Sequence, residues 1–183
     1  MRHFLLVLAT LAAHCLALAG PFTAVELSED QRSLRITRSD GGQLDAPLYA
    51  EQVGFQQPRI SHDGRYVGWL AMHPNCCTSY PIPLRLVVMD DSQHLHSFTG
   101  IKMAVFEWCF LPKQNAVAYT QTVLHGSDFQ HFEMRSIADE RLLAEYEYPG
   151  DDEDGNIRAR QQAPAWVRCV PELFPVDAKR NQK

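Results

Sequence analysis

Pro58-Arg59-Ile60-Ser61-His62-Asp63-Gly64-Arg65-Tyr66-Val67-Gly68-Trp69 aligns without a gap on Trp108-Cys109-Phe110-Leu111-Pro112-Lys113-Gln114-Asn115-Ala116-Val117-Ala118-Tyr119, fifty residues further on. Each copy reads as a short apolar strand, a tight turn and a second apolar strand, and Gly64 supplies the positive φ a tight turn asks for. Working outward, Leu34-Arg35-Ile36 with Gln43 recurs as Leu84-Arg85-Leu86 with Gln93. It returns more loosely as Phe132-Glu133-Met134 with Arg141 and Leu143. A period of this length filled by short strands predicts an all-β chain, a stack of four-stranded antiparallel blades like those of a β-propeller.

Turn residues at regular spacing place the strands. One full blade is expected from strands at 59–61, 66–71, 84–89 and 94–98, and a second from 105–110, 116–123, 132–137 and 142–146. Segments 22–27, 32–38 and 43–48 make a partial blade before them, and 164–167 reads as the start of another after them. Two whole blades plus fragments fall short of the four a closed propeller generally needs. The outer faces must then be buried by an open stack, by a curled sandwich or by oligomerisation. A compact monomeric stack completed by the terminal segments is the first expectation, and a homodimer the second.

The pattern Pro58-x-Ile60-Ser61-x-Asp63-Gly64-x-x-Val67-x-Trp69 resembles the repeat signature of TolB-like β-propellers, in which Ser-Pro-Asp-Gly precedes an apolar strand. His62 stands where that family usually has Pro, and the second copy replaces Asp-Gly by Lys113-Gln114. The resemblance covers roughly residues 58–148. It implies a protein-interaction platform of the bacterial envelope, or a scaffold beside a catalytic domain that is not present here.

Residues 1–19 read as an address. Arg2 is followed by an apolar run, and Ala17-Leu18-Ala19 satisfies the small-x-small rule for cleavage before Gly20. The run is short for a membrane span, and His14 is too bulky for a lipobox ahead of Cys15. The expectation is a Sec-type signal peptide over 1–19, an exported domain over 20–176 and a polar tail over 177–183, in the periplasm or outside the cell. The whole chain carries a formal charge of −5, and cleavage removes Arg2 but no acid. An acidic surface without a basic run argues against nucleic acid and anionic lipid as partners. No membrane insertion of the mature chain is expected.

Cys76, Cys77, Cys109 and Cys169 remain after cleavage, and in an exported chain they read as disulfide candidates. Three full pairings are open. A bond from Cys76 or Cys77 to Cys109 would cross-link neighbouring blades, a vicinal ring would close no loop, and Cys169 could tie down the tail.

Chemistry is sparse. There is no Gly-x-Ser-x-Gly, His-Glu-x-x-His, Walker loop, Gly-x-Gly-x-x-Gly or Cys-x-x-Cys. The chain therefore reads as a non-catalytic module without a cofactor or resident metal, displaying loops to an envelope protein. The loop running through Cys76, Cys77, Thr78, Ser79 and Tyr80 to Pro83 is longer than a hairpin needs. Long loops often carry function, and Tyr80 between prolines would be a stiff aromatic anchor. One blade later, His125, Asp128 and His131 fall in the equivalent connection, so both loops should emerge on one side. The alternative is a small metal- or thiol-dependent enzyme built on His125, Asp128 and His131, with Zn favoured by ligand type. The same residues also suit an ordinary turn. His94 and His96 read as the exposed face of an outer strand, the run 151–156 as a solvated acidic turn, and Trp69, Trp108 and Trp166 as core.

Overall fold

The computed structural model describes residues 20–75, 79–100, 104–123, 130–148 and 162–170. The leader, the acidic run, the tail, Cys76, Cys77, Thr78, His125 and Asp128 lie outside the described residues. Among the described residues eleven strands form three antiparallel meanders. Sheet one holds β1 (Phe22–Leu27), β2 (Leu34–Arg38) and β3 (Gln43–Asp45). Sheet two holds β4 (Gly54–Ile60), β5 (Val67–His73), β6 (Ile82–Met89) and β7 (Leu95–Thr99). Sheet three holds β8 (Ala104–Leu111), β9 (Ala116–Thr122), β10 (Gln130–Ser136) and β11 (Leu142–Tyr148). The fold is all-β and blade-like, with two four-stranded sheets and one partial one.

The sequence repeat survives as strand register. Ile60 lies opposite Val67 and Arg59 opposite Gly68; fifty residues on, Phe110 lies opposite Val117 and Cys109 opposite Ala118. Both first strands also carry a bulge, at Gln56/Arg59 and at Val105/Glu107. The turns reach positive φ by different residues, Gly64 at +69° and Asn115 at 49°, Asn being among the side chains that tolerate this region.

Side-chain alternation explains how the sheets stack. Val67, Trp69 and Ala71 of β5 join Phe22, Leu34 and Ile36 in one core between sheets one and two. Leu70 and Met72 point the other way and meet Trp108, Val117 and Tyr119 between sheets two and three. Every residue of β5 is consequently buried. Gly68 is the close-approach point, since a Cβ there would stand 2.7 Å from the Trp108 ring.

The two ends of the stack solve their outer faces differently. Sheet one turns Thr23, Arg35 and Asp45 to solvent. Sheet three is apolar on its outer face, where Cys109, Ala118, Phe132 and Tyr148 are covered by Ala163, Val167 and Val170 of the C-terminal segment. A Cys109–Cys169 disulfide with Cα atoms 6.0 Å apart fastens that cover.

Of the pairings left open by the sequence, the link from Cys76 or Cys77 to Cys109 is replaced by Cys109–Cys169: the bond ties down the segment after sheet three and does not join two blades. The strand expected at 164–167 is also absent. Val167 N–H donates to the Pro164 carbonyl, so the chain turns into a 3-10 helix over Val167–Cys169 and Trp166 is only partly buried. β3 ends at Asp45, two residues before Pro47, which has no N–H for a ladder. His96 is buried, not exposed, and stands 3.6 Å from Asp90 and 3.9 Å from Glu140.

Candidate functional site

β5 and β9 finish at the same end of the stack, because their partners β4 and β8 run alongside each other. Gln57, midway along β4, donates to the Phe106 carbonyl at 2.9 Å and to Glu107 at 2.6 Å. Arg59 donates to the Trp108 carbonyl and stands 3.4 Å from Glu107. Side chains of sheet two thus cover alternate carbonyls of β8, an edge strand that would otherwise offer itself for pairing.

Above this clamp lies a groove of about 360 Å³ lined by Gln56, Gln57, Met72, Tyr80, Phe106 and Glu107, together with the 81–83 segment. Tyr80 is 59% exposed and is followed by Pro81 and Pro83, which restrict the backbone that presents it. Ser79 is exposed beside it. The expected Tyr80 loop therefore borders a real concavity, floored by residues from β4, β5 and β8 that the sequence did not single out.

His131 belongs to β10 rather than to a loop. Its register partner is Gln121, and Glu133 faces Tyr119 on the same side of the sheet. Glu133 is fully buried at 0% exposure, accepts from Tyr119 Oη at 2.7 Å and from Arg135 Nε at 2.5 Å, and lies 3.4 Å from His131 Nε2. Burial alone would raise its carboxyl; hydrogen bonds from Arg135, Tyr119 and Gln121 outweigh that and hold it below the usual carboxylate range. Tyr119 is driven the opposite way, first by burial and then by its bond to Glu133. On the other side of the imidazole, His131 Nδ1 stands 3.6 Å from Glu147. The cluster is a buried carboxylate held by Tyr119 and Arg135, with a histidine 3.4 Å away at the solvent boundary.

Among the described residues no three His, Cys, Asp or Glu side chains gather as a metal cage. No helix among them is long and apolar enough to cross a membrane. Glu133 and Glu147 escaped the sequence reading because alternating His131, Glu133 and Arg135 reads as a solvated face. No known protein-family model matches this chain, and no curated protein sequence matches it.

Proposed function

We propose that this chain is an exported, non-catalytic binding module of the cell envelope, contacting a protein partner at the end of the stack that carries the β5–β6 and β9–β10 connections. The observation that carries the reading is the groove beneath Tyr80. It joins an exposed aromatic on a proline-restricted loop to apolar walls from Met72 and Phe106 and a polar floor from Gln57 and Glu107. Exposed aromatics over partly apolar pockets are where binding energy concentrates. Export is supported by the leader composition and by the disulfide, which oxidising compartments favour. The TolB-like signature and the blade-like sheets support kinship with envelope propellers.

Replacing Tyr80 by Ala should weaken partner capture at least tenfold while leaving the melting temperature within about 2 °C, because an exposed side chain contributes little to folding. A drop of many degrees would make Tyr80 a packing residue and remove the anchor.

A further inference from the structure

We infer that the C-terminal segment is a redox-released strap, and that the face of sheet three beneath it binds a second copy of this chain once the strap is off. Among the described residues the hydrogen bonds of 162–170 are internal. Val167 N–H donates to the Pro164 carbonyl, Val170 N–H to the Val167 carbonyl and the Arg168 guanidinium to the Ala163 carbonyl. Toward sheet three the segment presents apolar side chains, packed over Ala118, Phe132 and Tyr148, and the Cys109–Cys169 bond. Apolar contact and a covalent bond fasten it there, where strands within the sheet are joined by ladders.

The covered surface is one that the repeat builds to receive a sheet. Gly68, on the side of sheet two that meets sheet three, is where the Trp108 ring comes closest. Fifty residues on, Ala118 holds the same place on the outer side of sheet three, again small and buried, but under the strap. The stack ends in sheets one and three. Sheet one turns Thr23, Arg35 and Asp45 outward, so head-to-tail growth would set charged groups against an apolar face, which is costly. Two copies meeting sheet three to sheet three bury apolar surface on both sides. That two-fold arrangement closes, because each free end is then a polar sheet one.

Release is a thiol–disulfide exchange with a dithiol reductant. One thiolate attacks Sγ of Cys169, the less buried cysteine, and Cys109 Sγ leaves as a thiolate. The reductant's second thiolate then attacks its own sulfur in the mixed disulfide and frees Cys169. Two electrons and two protons pass to the chain, giving two thiols, and the reductant is left as a disulfide. None of this depends on the Tyr80 groove.

The test is light scattering on the protein purified from its native host, before and after dithiothreitol, with hydrogen exchange on both samples. The oxidised protein should be a monomer. Reduction should double the mass, speed exchange in 162–170 and leave β9 and β10 protected. Cys169→Ser should be dimeric with or without dithiothreitol. Reduction needs no substitution, so the test stands even where this variant folds poorly. A reduced protein that stays monomeric would overturn the inference, whether the segment exchanges fast or slowly. A dimer already present in the oxidised protein, or one whose new protection falls on sheet one, would do the same.

Discussion

Glu133 shows what one buried carboxylate does to the pH response of the molecule. An ordinary glutamate titrates near 4.3, and Arg135 and Tyr119 hold this one lower against the opposing effect of burial. The unfolded chain therefore takes up the proton first as pH falls. The stabilisation is complete above about pH 4.3 and disappears as pH drops through the lowered folded value. Thermal melts from roughly pH 7 to pH 3 should show a steep acid loss that Glu133→Gln flattens, with a lower melting temperature for the variant at neutral pH. Identical slopes would place the acid sensitivity on another group. At this scale the sequence was only partly legible. Gly64 and Trp69 announced themselves, because a turn glycine and a large strand aromatic have few other uses. Glu133 did not, because its burial depends on Tyr119 and on the sheet stacked across from it, which one strand does not reveal.

At the scale of elements the repeat carried most of the information. Alternating apolar residues located the strands of the two full blades and of the partial one to within a few residues, except that β4 begins at Gly54, five residues before the expected 59, since each strand must bury one or both faces. The segment 164–167 misled because Pro164-Ala165-Trp166-Val167 has strand-like composition, while an i→i+3 bond from Val167 to Pro164 turns it. What directs that segment is the end of the stack. The counterpart of Arg59, which reaches forward to β8, is Cys109 fifty residues later, where no further sheet follows among the described residues. A covalent cover replaces the missing neighbour. The bridge spans a sequence separation of 60 residues, for which chain entropy predicts about 4 kcal/mol. Denaturant unfolding should lose about this much with reductant present, and Cys169→Ser should be as weak and insensitive to reductant. A wild-type midpoint indifferent to reductant would show that the cover holds by packing alone.

For the whole molecule, three sheets bury two shared cores, and the two outer faces are finished by different means, polar residues on sheet one and the disulfide-fastened segment on sheet three. This arrangement needs no ring closure, which was the open question in a chain with so few blades. The Tyr80 groove, Gln57, Phe106 and His131 lie toward the end of the stack where β5 and β9 finish. The sequence pointed to that end through loop length alone. It could not show the groove, whose walls come from four strands in two different sheets. The proposed function turns on a partner meeting this end. The most direct measurement is site-specific photocrosslinking in the native host, with the photoreactive side chain at position 80 and, as a control, at the exposed Thr23 on the outer face of sheet one. A discrete heavier species is expected from position 80 and none from position 23. No product at position 80, or the same product at both positions, would contradict it.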